Sequence, residues 1–289
     1  MDPFMIKPPT KTGSGKLNSL MIISHRLTGK TEALLQLPNA LLIDYEGHAS
    51  AYPSASEVFT PKEALKARNA HFEKNGTTPA EQKPIGMVTF LNQFCNHLRA
   101  QNKTYDFIIH DTLTAIEQIA MPLAVVLFKN TNEGSGYTGN NVVTDLGYGK
   151  GQMFLRSAVE QILKPFDNLT NECIIYTGHI SSKTTISQDK EIEVTDLDLT
   201  SQVKKIFTGN TSATGLLYRD ASGSKNYITF VNRGDSHVVG ARPQHLSNQQ
   251  FVFSEKLNQA GEPDINGTLK TYWDQIFPEY FAKLNKTKK

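Results

Sequence analysis

Short runs of consecutive apolar residues alternate with amphipathic segments along the first two thirds of the chain. Apolar runs bounded by polar turns are typical of buried strands, whereas apolar positions that recur every three to four residues are typical of helices. Four buried strands, separated by helices, are typical of a parallel sheet that is covered on both faces. The pattern predicts these strands at 20–23, 40–44, 106–110 and 172–177, and helices that start near 32 or span 64–74, 88–102, 113–126 and 154–166.

The last third of the chain has a different pattern, with shorter apolar runs. It predicts short strands near 214–219, 226–232 and 236–240 and a helix over 272–284. Two long polar segments, 129–151 and 181–201, are expected to be loops, the second of them mobile. We therefore expect an α/β fold with a mainly parallel sheet flanked by helices and a β-rich C-terminal extension. The expected division is a flexible arm at 1–17, a core at 18–250, and an extension at 251–289 with a helix and a basic tail.

Composition narrows the class of protein. The 289 residues include 30 Lys and Arg against 28 Asp and Glu, so the net charge of +2 excludes a polycation but not a local basic groove. Two cysteines, Cys95 and Cys173, exclude a disulfide framework and a four-cysteine zinc site. No stretch approaches the roughly 18 apolar residues of a membrane span. The expected protein is soluble and cytoplasmic, with no membrane partner.

The turn after the first predicted strand has the sequence of a phosphate-binding loop. Residues 24–31, SHRLTGKT, match the pattern G-x-x-x-x-G-K-[ST] except that Ser24 replaces the first glycine. In such loops the backbone N–H groups at a helix start hold phosphates. Lys30 would reach the β- and γ-phosphate oxygens and Thr31 would hold Mg²⁺, which predicts ATP and Mg²⁺ as ligands. The predicted nucleotide-binding residues are Ser24, His25, Arg26, Leu27, Thr28, Gly29, Lys30 and Thr31.

A second glycine-rich run is not expected to bind a dinucleotide. Residues 134–139 spell G-x-G-x-x-G, but they lie inside a predicted loop and do not open a helix.

Polar residues follow each of the other buried strands. Asp111 ends the third strand, where a phosphate loop needs a carboxylate for Mg²⁺; the alternative is that Asp111 caps the helix that follows. Glu46 follows the second strand and could activate water, provided that this strand lies beside the phosphate-loop strand; the alternative is a solvated loop carboxylate. Asp44 is closer to the strand interior and less suited to be the base. His179 ends the fourth strand and could sense the γ-phosphate, or be an ordinary hydrogen-bonding histidine.

The order and spacing of these motifs resemble those of phage-encoded RecA-like ATPases of the AAA superfamily. The resemblance spans about residues 17–250, and Ser24 departs from the family pattern. It rests on 24–31, on LIDYEG at 42–47, IHDT at 109–112 and YTGH at 176–179, and on DLGYGKG at 145–151 and GARPQHL at 240–246.

The resemblance implies a RecA core in which Glu46 activates water. It also implies that His179, where RecA has a glutamine, links the γ-phosphate to a DNA-binding loop. Some phage members act in recombination or single-strand annealing beside a single-stranded-DNA-binding protein. A homo-oligomer is also implied, in which an arginine of the neighbouring copy, Arg233 or Arg242, stabilises transition-state charge.

The two long polar segments are the candidate contacts with single-stranded DNA. The first offers cations for phosphates and rings for base stacking, namely Lys129, Tyr137, Tyr148 and Lys150. The second offers Lys183, Lys190, Lys204 and Lys205, but it also holds Glu191, Glu193, Asp196 and Asp198, which argue against simple DNA binding.

The leading hypothesis is therefore a Mg²⁺-dependent ATPase that acts on single-stranded DNA in phage recombination, repair or replication, in the host cytoplasm. Two alternatives remain open. One is a nucleotide-gated interaction protein with little hydrolysis, which Ser24 would favour. The other is a P-loop nucleotide kinase, which needs an arginine-rich lid, although 129–151 contains no arginine.

Overall fold

The computed structural model describes residues 17–74, 86–139, 143–146, 150–187, 190–232 and 238–287, without the side chains of 71–74, 182–187 and 190–195. The predicted arm lies outside the described residues except for Leu17, which is buried. No helix in these ranges is long and apolar enough to cross a membrane.

A single twisted sheet runs through the molecule, in the order β3-β2-β4-β5-β1-β7-β8-β10-β11. The strands from β3 to β7 in this order are all parallel, and β8, β10 and β11 continue the sheet in antiparallel pairing. The strands are β1 (Ser19–Ser24), β2 (Ala40–Asp44), β3 (Glu57–Phe59), β4 (Tyr105–Asp111), β5 (Thr170–Ser187), β6 (Lys190–Leu197), β7 (Ala213–Arg219), β8 (Lys225–Thr229), β9 (Gly240–Ala241), β10 (Gln250–Leu257) and β11 (Thr268–Thr271).

Helices cover both faces of the sheet. One core lies against α3, α4, α5 and α6 and includes Leu91, Ile116 and Val159, all nearly inaccessible to solvent. The other lies against α1 and α7 and includes Leu34 and Trp273. The predicted α/β class, with a mainly parallel sheet and a β-rich extension, is confirmed. The helices are α1 (Lys30–Leu34), α2 (Pro61–Lys74), α3 (Met87–Ala100), α4 (Leu113–Lys129), α5 (Lys150–Leu163), α6 (Ser201–Asn210), α7 (Trp273–Ile276) and α8 (Pro278–Thr287).

The segment expected to be a mobile loop at 181–201 is instead mostly a β-hairpin. β5 continues past the sheet and pairs with β6 in antiparallel register from Ile180 opposite Leu197 to Ser187 opposite Lys190. The stretch is rich in Thr, Ile and Val, which favour strands. Its polar residues and its acidic cluster nevertheless give the sequence the appearance of a loop.

Other boundaries also differ from prediction, and the helix predicted at 272–284 is two helices, α7 and α8. α5 begins at Lys150, inside the predicted loop, and β8 ends at Thr229. Of the predicted strand at 236–240, only the end is described, where Gly240 begins β9 and pairs with β7. β10 and β11 were not predicted, and β10 joins the same sheet rather than a separate unit.

Candidate nucleotide-binding site

Parallel strands β1, β2 and β4 end at one edge of the sheet, where β5 continues into the hairpin and a cavity of about 620 Å³ opens. Because these carboxyl ends meet there, residues far apart in sequence line one space. The wall includes residues 25–32, Glu46, Gly47, His48, Thr112, Gln118 and His179, together with Ser50, Ala51 and Tyr52.

The turn between β1 and α1 has the backbone of a tight phosphate loop. Gly29 caps α1 with a φ of 86° and Leu27 has a φ of 61°, both in the left-handed region. Ser24 is not among the left-handed residues, so a serine fits the start of the loop without backbone strain. Its hydroxyl donates to the His25 carbonyl at 2.9 Å. The unusual residue is Leu27, whose side chain is 94% exposed at the loop tip.

Lys30 is the buried cation of the loop. Its ammonium donates to the Gly178 carbonyl at 3.3 Å and to Ser24 Oγ at 3.4 Å. Burial lowers the pKa of Lys30, and the negative charges of Asp111 and Glu46 oppose that shift. A buried ammonium whose hydrogen bonds go to neutral oxygens is suited to accept an anionic ligand.

Thr31 and Asp111 lie in direct contact, although 80 positions separate them. Thr31 Oγ1 donates to Asp111 Oδ2 at 2.7 Å, and Thr177 Oγ1 donates to Asp111 Oδ1. Asp111 does not cap the next helix: Thr112 caps α4, accepting from the Ala115 N–H at 3.4 Å. The peptide bond between Asp111 and Thr112 is cis.

This pair fits Mg²⁺. A hydroxyl and a carboxylate are hard oxygen ligands, and Mg²⁺ in NTPase sites takes one or two protein oxygens and completes its coordination with phosphates and water. Among the described residues no three His, Cys, Asp or Glu side chains cluster as a metal site. A cation that is shared with a nucleotide fits the Thr31–Asp111 pair.

Glu46 lies across the cavity from the phosphate loop. Its carboxylate accepts from Thr112 Oγ1 at 2.7 Å, and Oε1 lies 3.6 Å from His179 Nε2, beyond hydrogen-bond length. The His179 imidazole, the Thr112 hydroxyl and the Lys30 charge together lower the pKa of Glu46 to about 2, against a smaller opposing effect of burial. Glu46 is therefore an ionised carboxylate at neutral pH.

β2, the strand that precedes Glu46, does not lie beside the phosphate-loop strand β1. The predicted role of Glu46 in activating water depended on that neighbourhood. β4 and β5 separate β2 from β1. Glu46 still reaches the cavity because the turn after β2 crosses the end of β4, where Thr112 holds its carboxylate.

Three consecutive residues of β5 each contact a different part of the site. Thr177 contacts Asp111, the Gly178 carbonyl accepts from Lys30, and His179 faces Glu46. Among the described residues, His179 Nδ1 is the buried side-chain atom with no hydrogen-bond partner. The same strand then continues into the β5–β6 hairpin, so His179 stands at the junction of site and hairpin.

Sequence reasoning missed a polar pair that flanks the loop from β7 and β8. A Cβ on Gly29 would lie 3.1 Å from Arg219 Nη2 and 3.2 Å from Asn226 Nδ2. Arg219 Nε donates a hydrogen bond to Asn226 Oδ1 at 3.3 Å, and Asn226 Nδ2 donates one to Ser254 Oγ at 3.0 Å. These residues reach the loop only through the pairing of β7 with β1 and β8, which no local motif signals.

The first group of predicted DNA contacts is partly engaged within the chain. Lys129 lies 5.8 Å from the ring centroid of Tyr137, which packs edge-on against Phe128, and Lys150 pairs with Glu133. Tyr148 and the Lys183 side chain lie outside the described part.

The predicted trans-acting arginine is remote from this chain's own cavity. Arg242 follows β9, donates to the Gly209 carbonyl at 2.9 Å, and lies near the starts of β1 and β7, opposite the cavity edge. A catalytic contact by Arg242 therefore requires a second copy. Arg233 lies outside the described residues.

Residues 16–242 match the model of a protein family described as an AAA domain. Curated proteins gave no match to the chain. Among solved structures, the chain is similar to one described as "Crystal structure of the RadB recombinase", with 12% sequence identity and a TM-score of 0.38, over 84% of this chain and 89% of that chain.

Proposed function

The chain belongs to the AAA domain family, and from that premise we propose that it is a Mg²⁺-dependent ATPase that acts on single-stranded DNA in phage recombination, repair or replication. The observation that carries the proposal is the contact of Thr31 with Asp111 at 2.7 Å beside the buried Lys30. A hydroxyl, a carboxylate and an ammonium placed in this way are what a nucleotide triphosphate with its metal requires.

Each residue of the site has a distinct part in the proposed reaction. Lys30 neutralises charge on the β- and γ-phosphates, and Thr31 and Asp111 would hold Mg²⁺, which adds positive charge at the same oxygens when bound. Glu46 is a weak base because its pKa is about 2. Its ionised carboxylate therefore accepts a hydrogen bond from the attacking water and orients it, as the charge on the γ-phosphoryl group develops.

The β5–β6 hairpin supports the proposal of a DNA contact. By the pairing register, Lys183 and Lys190 belong to one face of the hairpin, whereas Glu191 and Glu193 belong to the opposite face. Glu191 and Glu193 are thus separated from these two lysines, whereas Asp196 shares the lysine face and forms an ion pair with Lys204. In this proposal the lysine face meets the phosphates of the strand, and His179 reports the state of the γ-phosphate to it.

The proposed assembly is a homo-oligomer on DNA, in which Arg242 of one copy approaches the cavity of the next. A single-stranded-DNA-binding protein is the proposed companion on the same strand. The location of Arg242 at the edge opposite the cavity suits contact between successive copies, because the two edges would then face each other.

The deciding experiment is steady-state ATP hydrolysis with and without single-stranded DNA at low salt. Wild-type protein, Lys30→Ala and Glu46→Gln are compared with Lys283→Ala, which changes an exposed lysine on α8 far from the cavity. We expect DNA-stimulated turnover that both site variants lose and the control keeps. ATP binding without turnover and without response to DNA would leave the nucleotide-gated interaction protein, and phosphoryl transfer to an added nucleotide would favour the kinase.

A further inference from the structure

Asp44, the last residue of β2, is a buried carboxylate that accepts hydrogen bonds from three backbone N–H groups of the next turn. Its side chain is 1% exposed. Oδ1 accepts from the N–H groups of Glu46 at 3.1 Å and Gly47 at 2.7 Å, and Oδ2 accepts from the N–H of Ala49 at 2.7 Å. A carboxylate with three such donors is well solvated by the protein itself.

Asp44 is not placed to act on a ligand. It is absent from the cavity wall, whereas Glu46 and Gly47 belong to it. Both of its oxygens already accept N–H groups from the turn. Its hydrogen bonds therefore act on the turn that carries Glu46.

The turn is fixed on its other side as well. The Tyr45 N–H donates to the Asp111 carbonyl at 2.9 Å, and the Tyr45 hydroxyl lies 3.0 Å from His110 Nδ1. Gly47 takes a φ of 85°, which reverses the chain directly after Glu46. Held by Tyr45 before it and by Asp44 through its own N–H, Glu46 keeps little freedom beyond its side-chain torsions.

We propose that Asp44 is a positioning residue for ATP hydrolysis, which sets the backbone of Glu46 so that its carboxylate meets the water beside the γ-phosphate. The proposal rests on the proposed ATPase function. A misplacement of about 1 Å in a reacting group can cost a factor of about 100 in rate. The Asp44 carboxylate would therefore control turnover without contacting the nucleotide.

Asp44→Asn tests the proposal, since it keeps the size of the side chain but replaces one acceptor by an NH₂ group that opposes an N–H donor. We expect kcat to fall by about 10- to 100-fold, with the Kd for ATP changed by less than about 2-fold. In the Glu46→Gln background the same change should lower kcat no further, because the two residues act as one unit. Asp264→Asn is the matched control, because Asp264 accepts the Asn266 N–H at 2.9 Å in a remote turn.

Unchanged kcat in Asp44→Asn, a parallel loss of ATP binding, or an additive loss in the double variant would each overturn the proposal. Amide hydrogen exchange gives the structural measure, since the N–H groups of Glu46, Gly47 and Ala49 should exchange faster in Asp44→Asn and those of α3 should not.

Absence of turnover in the wild-type protein would contradict the proposed function and still leave the positioning of Glu46 open to test. The carboxyl of Glu46 can then be titrated by ¹³C NMR in both proteins. We expect its pKa to be about 2 in the wild type and to be closer to 4.5 in Asp44→Asn. A midpoint that does not move, with exchange unchanged, overturns the positioning claim by itself.

Discussion

Glu46 Oε1 lies 3.6 Å from His179 Nε2, although β4 lies between β2, which precedes Glu46, and β5, which contains His179. The turn after β2 brings the carboxylate across the end of β4, and Thr112 holds it there at 2.7 Å. This contact joins the residue proposed to orient water with the residue proposed to sense the γ-phosphate.

The pKa of Glu46 makes its contribution to stability depend on pH. Because the folded-state pKa falls from 4.5 to about 2, the contribution is complete above pH 4.5 and is lost as the pH falls toward 2. The Glu46 side chain is 30% exposed, so screening by solvent reduces the effect to about 1 kcal/mol. Urea unfolding of wild type and Glu46→Gln at pH 2.5 to 6 should show a difference in free energy of unfolding that grows to pH 4.5 and then stays level. A difference that is constant over this range would contradict the assigned contacts.

Gly29→Ala should destabilise the phosphate loop and weaken ATP binding. The substitution places an L side chain at a φ of 86° and 3.1 Å from Arg219 Nη2, which together cost about 1–2 kcal/mol. Gly86→Ala is the control, because Gly86 precedes α3 at a φ of −79° with nothing near its Cβ position. Chemical unfolding and calorimetric ATP titration measure both effects. Equal stabilities of the two variants would show that the loop is not strained there.

Gly178→Ala should destabilise the junction between sheet and hairpin. Its Cβ would lie 2.8 Å from Leu197 Cδ2, and Leu197 is fully buried. Overpacking of this kind costs about 1–3 kcal/mol. Leu197→Ala creates the missing space, so Gly178→Ala should cost less in that background than in the wild type. Thermal unfolding measures the stability of each variant. If the losses of stability add up in the double variant, the two residues are not coupled.

The charge separation on the hairpin predicts how it meets DNA. The double variant Lys183→Ala/Lys190→Ala should bind single-stranded DNA more weakly. The plot of log K against log salt concentration should become less steep by about 1.4, or roughly 0.7 for each lost phosphate contact. Glu191→Gln with Glu193→Gln is the control on the opposite face and should leave that slope unchanged. Fluorescence anisotropy over a series of salt concentrations measures both, and an equal effect of the two pairs would refute a one-faced contact.

The sequence predicts those parts of the fold in which one signal repeats locally. Buried strands such as β1 and β4 are uninterrupted apolar runs, and the loop from Ser24 to Thr31 follows a fixed spacing. The polar residues at the strand ends could be located because parallel strands end at one edge. The structure brings Lys30, Thr31, Glu46, Asp111 and His179 to that edge, and their assigned activities remain predictions.

Features that depend on pairing between distant segments could not be predicted. The order of the strands places β5 and β4 between β1 and β2, and no local pattern encodes this order. The sequence of the hairpin predicts a loop because most of its residues are polar. Arg219 approaches Gly29 across 190 positions of sequence. The hydrogen bonds of the Asp44 side chain to the next turn do have a local sequence signal. An Asp followed closely by a Gly, here Asp44 and Gly47, is typical of a turn in which the side chain bonds to the backbone.

Three successive residues of β5 contact Asp111, Lys30 and Glu46, and the same strand extends into the hairpin. Within the sheet, β5 is hydrogen-bonded to β1 on one side and to β4 on the other. A pull along the axis of β5 would therefore load these hydrogen bonds in shear, all at once rather than one after another. Such a load would reach Thr177, Gly178 and His179 together, so the site would respond to it as one unit.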